Sequence, residues 1–216
     1  MKYNQEHNYN PAITISNKPQ RYPEDFVQPY MDRLSEQVES KGDIDSYFLR
    51  GALYLNRGEF PKAIGDFEAI IAKDPRNLMA LFNLANARMM MYDYIESIDD
   101  KTTKVIGDVK TENRKVDYSK VLEGYNKCLE IDPGFIFALF NIANVYTKSE
   151  EIDKAIDAYT EVIRQDKDIA EAYFNRGLLY IYIGKKALAN IDLGKAGELG
   201  ISSAYNIIKR YCKEEN

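Results

Sequence analysis

The sequence predicts an all-α protein built from four similar helix pairs, and three observations lead to this prediction. One pattern of large and small residues is written four times in the 216 residues. The step between copies is 34 residues from Tyr47 to Leu81 and again from Ala155 to Ala189. On a helical wheel, the patterned residues of the first helix in each copy fall on one stripe. A period of this length is typical of stacked helix–turn–helix units.

Each copy places a large residue first, a small residue four positions later, and a turn residue near its end. The four copies read Tyr47, Gly51, Tyr54, Ala63, Phe67 and Pro75; Leu81, Ala85, Arg88, Val121, Tyr125 and Pro133; Leu139, Ala143, Tyr146, Ala155, Tyr159 and Lys167; and Tyr173, Gly177, Tyr180, Ala189, Leu193 and Gly200. This order and period resemble the tetratricopeptide repeat (TPR). The resemblance implies a right-handed α-solenoid of four TPR helix pairs with N- and C-terminal capping helices.

The predicted organisation has an arm, a cap, four repeats and a second cap. These are an extended N-terminal arm at 1–28, a capping helix at 29–43, repeats at 44–77, 78–135, 136–169 and 170–203, and a capping helix at 204–216. The second repeat is longer than the others by 24 residues, and the excess near 93–116 is expected to be a loop between its helices. A partner-specific feature is the alternative. The ending resembles that of some longer bacterial TPR proteins, of which this chain would be the C-terminal part.

The patterned residues are assigned to packing. A Gly or Ala at the eighth position of a repeat lets its two helices cross closely, and Pro75 and Pro133 end the second helices because proline donates no helical hydrogen bond. Tyr125 and Tyr159 are expected to fill the space toward the next repeat. Truncating either to Ala should therefore cost about 3 kcal/mol of stability.

The opposite face of each first helix, at positions 2, 6, 9 and 13 of the repeat, is the predicted binding face. Its members are Asn83, Asn86, Met90, Phe137, Asn141, Asn144, Lys148, Asn175 and Tyr182, joined by Met79, Glu171 and Leu178. Asn costs about 0.6 kcal/mol in a helix interior relative to Ala, so five Asn on one face oppose local propensity. Amides pair with a peptide backbone, and the resemblance implies that this face is a concave groove. The alternative is inherited consensus residues facing water.

The same face is expected to be exposed, so that substitutions there change binding and barely change stability. Its apolar members, such as Met79, Phe137 and Tyr182, would then mark a contact surface. The face does not resemble the basic clamp by which chaperone-binding TPR domains hold a C-terminal carboxylate. Phe48, Ala52, Phe137 and Asn141 stand at the clamp positions, and only Asn83 is kept. An acidic C-terminal tail is therefore a poor candidate ligand.

Composition argues against several other classes of protein. The net charge of −5 is modest and scattered, which gives no footprint for nucleic acid, and no apolar run is long enough to predict membrane insertion. The single histidine, His7, has no catalytic set around it, and Cys128 occupies a packing position. No catalysis, cofactor or metal is expected. The polar start at Met1 predicts a soluble protein, cytoplasmic by default, or periplasmic if the chain is a fragment of an exported protein.

The sequence therefore predicts a non-catalytic scaffold that binds a peptide or helix of a partner protein. Two alternatives stay open: a structural module that self-associates in a larger assembly, and an arm that occupies the groove of its own molecule or of a neighbour. A homo-oligomer is thus also left open. Light scattering with and without residues 1–22 would separate these hypotheses.

Overall fold

The computed structural model describes residues 24–106 and 116–212, with side chains for 27–97 and 116–212. Every regular element within these ranges is helical. The elements are α1 (Glu24–Ser40), α2 (Ile44–Arg57), α3 (Phe60–Lys73), α4 (Leu78–Ile106), α5 (Ser119–Ile131), α6 (Ile136–Lys148), α7 (Ile152–Gln165), α8 (Ala170–Tyr182), α9 (Lys186–Glu198), α10 (Ser203–Ile207) and a π-helical turn (Ile208–Cys212).

The chain divides into two compact units between Asp132 and Pro133. Of the described residues, the first unit holds α1 to α5, and the second holds α6 to α10 with the π-helical turn. The helices pack in pairs, α2 with α3 and α4 with α5 in the first unit, and α6 with α7 and α8 with α9 in the second. These four pairs coincide with the four copies of the sequence pattern.

Small residues allow the two helices of a pair to approach closely. A Cβ added at Gly51 would lie 3.1 Å from the ring of Phe67, and one at Gly177 would lie 2.8 Å from Cγ of Leu193. At the second pair, a Cβ on Gly124 would lie 2.9 Å from that of Ala85. The predicted role of the small residue at the eighth position is thus confirmed for Gly51 and Gly177.

Local residues set the ends of the helices. Asp43 precedes α2, and its Oδ1 accepts a 2.9 Å hydrogen bond from the backbone N–H of Ser46, which satisfies a donor of the first turn. Gly58 ends α2 with a φ of 74°, a conformation that glycine adopts without steric cost. Pro75 and Pro133 each follow the last helical residue of α3 or α5 by two positions, which agrees with their predicted role.

The first helix is longer than predicted. The predicted cap begins at Pro29, whereas α1 begins at Glu24 and contains Pro29. A proline near the start of a helix removes one backbone hydrogen bond, and α1 is built despite that loss. Its buried Met31 and Val38, with a 3.3 Å hydrogen bond from Ser46 Oγ to Gln37 Oε1, hold α1 against α2. Residues 1–23 of the predicted arm lie outside the described residues.

The long second repeat does not turn where the sequence predicted. The loop predicted at 93–116 is wrong for residues 93–106, because α4 continues as one helix to Ile106. No Gly or Pro interrupts residues 91–106. Tertiary contacts also hold the extension: the ring of Tyr92 packs edge-on against Tyr118, whose hydroxyl donates a 3.2 Å hydrogen bond to Glu96 Oε1. Residues 107–115 lie outside the described residues.

The C-terminal end of the second unit is covered by α10 and the π-helical turn. Ala204 is fully buried with Ala189, Leu193 and Ala196 of α9. The ring of Tyr205 lies so close to Gly197 that a Cβ there would be 2.5 Å from it. The predicted capping helix at 204–216 is therefore helical as far as Cys212, and 213–216 lie outside the described residues.

Candidate functional site

The candidate site is the face of the first helices that points away from the packing stripe, here called the groove face. In the first unit it comprises Leu49 of α2 and Met79, Asn83, Asn86 and Met90 of α4. In the second unit it comprises Phe137, Asn141, Asn144 and Lys148 of α6 and Glu171, Asn175, Leu178 and Tyr182 of α8.

Several apolar members of the groove face lie in solvent. In the second unit, Tyr182 is 74% exposed and Leu178 38% exposed, near the end of α8. In the first unit, Met79 and Leu49 are 47% and 55% exposed. The expectation of exposed apolar residues is confirmed for Tyr182, Leu178 and Met79. Lys148 is exposed as well, whereas Phe137 and Met90 are partly buried.

Two of the predicted amides belong to the core instead. Asn86 and Asn141 are each only 2% exposed, so the expectation that no groove residue packs the core is wrong for both. In the first unit, the hydroxyl of Tyr125 donates a 2.7 Å hydrogen bond to Asn86 Oδ1. This bond joins α5 to α4, and it gives the amide a structural role that does not depend on a ligand.

A related network occurs in the second unit. The hydroxyl of Tyr159 donates a 2.5 Å hydrogen bond to Asn144 Oδ1 and accepts a 3.1 Å bond from Asn175 Nδ2. Burial raises the pKa of Tyr159, so its hydroxyl stays protonated and able to donate. Three side chains from α6, α7 and α8 are thereby fixed at the base of the groove face.

These contacts account for part of the Asn content that opposes helix propensity. Asn86, Asn144 and Asn175 are held by tyrosine hydroxyls. Asn83 Nδ2 donates a 2.8 Å hydrogen bond to the carbonyl of Met79 one turn earlier. A buried hydrogen bond offsets the cost of Asn in a helix, since a net contribution of about 1 kcal/mol exceeds it. The Asn content that opposes helix propensity is therefore explained in part by tertiary contacts, which the sequence argument did not predict.

A row of phenylalanines lies beside these amides and is not among the predicted site residues. The fifth position of every repeat is Phe, namely Phe48, Phe82, Phe140 and Phe174. The first three pack against the aromatic residue of their partner helix, with ring centroids 5.8, 5.8 and 5.6 Å apart for Phe48–Phe67, Phe82–Tyr125 and Phe140–Tyr159. The occurrence of Phe at this position in all four copies is the sequence signal that reveals the row.

Ion pairs inside two of the four helix pairs were also not predicted. Arg50 binds Asp66 through two hydrogen bonds of 2.9 and 2.7 Å, with its guanidinium between the rings of Tyr47 and Tyr54. In the second unit, Arg176 binds Asp192 through bonds of 2.7 and 2.8 Å and lies between Tyr173 and Tyr180 in the same way. The spacing of 16 residues, seen in the first and fourth copies alone, is the signal that reveals the pairs.

The cysteines offer no reactive group at the groove face. Cys128 is fully buried in the first unit, and burial raises the pKa of its thiol to about 12. Its Sγ lies 3.3 Å from the carbonyl of Gly124, to which it donates. The predicted packing role of Cys128 agrees with this position. None of the helices that the structure describes has the length and apolar character needed to cross a membrane.

Comparison with known families identifies the repeats. Residues 48–90 match the family described as "Tetratricopeptide repeat", and residues 143–184 match the family described as "TPR repeat". One match falls in each unit. The chain is a tetratricopeptide repeat protein. TPR proteins are typically protein-interaction scaffolds without catalytic activity, and their stacked repeats form extended binding surfaces.

Curated relatives are TPR-containing proteins or much longer chains that align over part of their length. Superkiller complex protein 3 of Homo sapiens is 21% identical over 151 residues, which is 70% of this chain and 8% of its own. TPR repeat-containing protein MJ1428 of Methanocaldococcus jannaschii is 26% identical over 79% of this chain and 34% of its own. Neutrophil cytosol factor 2 of Homo sapiens is 44% identical over 57 residues, 26% of this chain and 11% of its own. This TPR chain therefore spans about a third or less of these relatives.

Solved structures share the fold. The crystal structure of MamA superposes with a TM-score of 0.63 at 20% identity, covering 81% of this chain and 89% of that one. TTC0263, a thermophilic TPR protein in Thermus thermophilus, gives a TM-score of 0.57 at 18% identity, with coverage of 84% and 86%. The predicted all-α solenoid fold is confirmed by these likenesses, which at such identities concern the fold alone.

Proposed function

We propose that this TPR protein is a non-catalytic scaffold whose groove face binds a peptide or helix of a partner protein. The observation that carries the proposal is the exposed apolar pair Leu178 and Tyr182 on α8. Exposed apolar residues grouped beside fixed polar groups are typical of contact surfaces. Asn144, Tyr159 and Asn175 supply those polar groups and are already held in one conformation by their mutual hydrogen bonds.

The prearranged network reduces the cost of binding. A side chain that is fixed before a ligand arrives loses little conformational freedom when it makes a contact. Asn175 and Asn144 are fixed through Tyr159, whereas Tyr182 extends into solvent beyond them. A ligand would therefore meet a rigid polar base and an aromatic anchor. Aromatic anchors of this kind dominate the energetics of many interfaces.

The test compares two pairs of exposed apolar residues within the same helix pair. The groove variant is Leu178→Ala with Tyr182→Ala. The matched control is Leu188→Ala with Ile191→Ala on α9, where Leu188 and Ile191 are 42% and 66% exposed. Both variants remove two exposed apolar side chains, so both should keep the thermal stability of the parent chain.

The measurement is quantitative affinity capture from a native lysate with parent, groove variant and control side by side. We expect a partner that the parent and the α9 control retain and that the groove variant loses by about tenfold or more. If the groove variant retains the partner protein and the α9 control loses it, the binding site lies on α9 instead. A dimer that dissociates when residues 1–22 are removed would instead favour an N-terminal arm that occupies the groove of a neighbouring molecule.

A further inference from the structure

Glu171 is a groove-face residue whose carboxylate has no cationic or hydrogen-bonding partner among the residues that the structure describes. It is the second residue of α8 and only partly buried, yet its Oε2 is shielded from solvent and accepts no hydrogen bond from the residues that the structure describes. Among those residues it also has no ion pair. Shielding one oxygen of a carboxylate without supplying a donor is unfavourable, and a cation that binds the part of the carboxylate that remains exposed would offset that cost.

The position of Glu171 near the start of a helix does not by itself explain this arrangement. A carboxylate in the first turn is stabilised by the partial positive charge of the helix N-terminus. Asp153 occupies the first turn of α7 and obtains that stabilisation while exposed to solvent. The dipole therefore accounts for an acidic residue at such a place, but not for a shielded oxygen without a donor.

Glu171 is also the first member of a stripe along α8. Asn175, Leu178 and Tyr182 follow it at intervals of four, three and four residues, which places all four on one side of the helix. With a rise of 1.5 Å per residue, Glu171 and Leu178 lie roughly 10 Å apart along the axis. That distance corresponds to about three residues of an extended peptide.

A second unused polar group lies beside this stripe. Asn144 Nδ2 is shielded and makes no hydrogen bond with described residues, although Oδ1 of the same amide accepts from Tyr159 and lies 3.5 Å from Asn175 Nδ2. The face of the second unit thus offers one partly exposed carboxylate and an apolar end, whereas the shielded Nδ2 of Asn144 is not accessible to a ligand. A cationic side chain suits the carboxylate.

We propose that the groove face of the second unit selects a segment carrying a basic residue, whose ammonium or guanidinium binds Glu171 while an apolar residue about three positions away packs on Leu178 and Tyr182. The proposal rests on the proposed function, because it specifies the ligand of the same face. The new proposal extends the proposed function by assigning the charge of the ligand and the spacing of its two anchors.

The test uses a displayed library of random peptides selected on the whole chain. We expect the selected peptides to share a Lys or Arg and an apolar residue about three positions apart. The Glu171→Gln variant should bind a selected peptide about tenfold more weakly, whereas Asp153→Asn, which removes the same charge from the first turn of α7, should bind it like the parent. Replacing the basic residue of the peptide with norleucine should weaken binding to the parent chain by the same factor. The same replacement should not weaken binding to the Glu171→Gln variant any further.

Two results would overturn the proposal in distinguishable ways. In the first, the selected peptides share no basic residue, and their binding is lost in Tyr182→Ala but unchanged in Glu171→Gln. This result would overturn the basic-residue proposal and leave the proposed function standing. Failure of the folded parent chain to select any peptide would overturn both. Thermal melts of Glu171→Gln and Asp153→Asn should match that of the parent, which ensures that a loss of binding reports on the site.

Discussion

The hydroxyl of Tyr125 and the amide of Asn86 are joined by a buried 2.7 Å hydrogen bond. Tyr159 and Asn144 repeat this contact at the equivalent positions of the third helix pair. In the first pair the same positions hold Phe67 and Ala52, so the hydroxyl and the amide are absent together. The two positions therefore change as a unit, because either polar group alone would be left buried without its partner.

The first prediction concerns this pair. Tyr125→Phe should lower the free energy of unfolding by about 1 kcal/mol and Asn86→Ala by about 2 kcal/mol. Each substitution removes one partner of a buried hydrogen bond and leaves the other without that bond. The double variant should cost about 1 kcal/mol less than the sum, because it recreates the combination found in the first pair. Urea denaturation of the four proteins measures this coupling.

A matched control for that cycle is Tyr54→Phe in the same unit. Tyr54 lies in α2 and its hydroxyl makes no hydrogen bond with the residues that the structure describes. Its loss should change stability by less than about 0.5 kcal/mol. Strict additivity of Asn86→Ala and Tyr125→Phe would show that the bond contributes no coupling.

The second prediction concerns the ion pair in the fourth helix pair. Asp192→Ala should destabilise the chain by about 2 kcal/mol, since it leaves Arg176, only 14% exposed, without its carboxylate. The third pair carries Ile142 and Ala158 at the equivalent positions. Adding Arg176→Ile to Asp192→Ala should therefore recover much of the loss. A double variant less stable than Asp192→Ala in thermal melts would contradict this expectation.

The third prediction separates packing from binding in the second unit. Tyr159→Ala should cost about 3 kcal/mol, because a ring that is 1% exposed leaves a cavity and releases Asn144. Tyr182→Ala should change stability by less than about 0.5 kcal/mol, since its ring lies largely in solvent. Differential scanning calorimetry measures both. Equal melting temperatures for Tyr159→Ala and the parent would mean that the register of the repeats is wrong.

The fourth prediction concerns the long helix α4. Tyr118 is 6% exposed, and it contacts Tyr92 with its ring and Glu96 with its hydroxyl. Tyr118→Ala should accordingly raise amide hydrogen exchange in residues 92–106 while residues 78–90 keep their protection. Tyr118→Phe, which keeps the ring contact, is the control and should have a smaller effect. Unchanged exchange in both variants would show that the extension is stable without these contacts.

The fifth prediction concerns pH. Burial raises the pKa of Cys128 from 9.0 to about 12, so the unfolded chain releases this proton at a lower pH than the folded chain. The stability from burying the neutral thiol is complete below about pH 9 and is lost as pH rises toward 12. In a Cys212→Ser background, a thiol reagent at about pH 8 should label no cysteine in the folded chain and one in urea. Rapid labelling of the folded chain would contradict the burial.

The candidate site was predictable from sequence only in outline. Helical periodicity correctly separated the exposed Tyr182 and Leu178 from the packing residues, because that separation depends on the angle between successive residues of one helix. It could not reveal that Asn86 reaches the hydroxyl of Tyr125, since the two residues are 39 positions apart and meet only when α4 packs on α5. For the same reason, the shielded oxygen of Glu171 is a property of the packed helices.

The sequence by itself determined the repeat, its period and the roles of Gly51, Gly177, Pro75 and Pro133, because these depend on side-chain size and backbone chemistry within one helix pair. Tertiary structure decided which polar residues pack in the core and which stay exposed. It also decided that α4 continues to Ile106, where contacts with Tyr118 prevail over the loop that repeat length predicted. Period and residue size are local properties of the chain, whereas burial and hydrogen-bond partners exist only after helices distant in sequence have packed together.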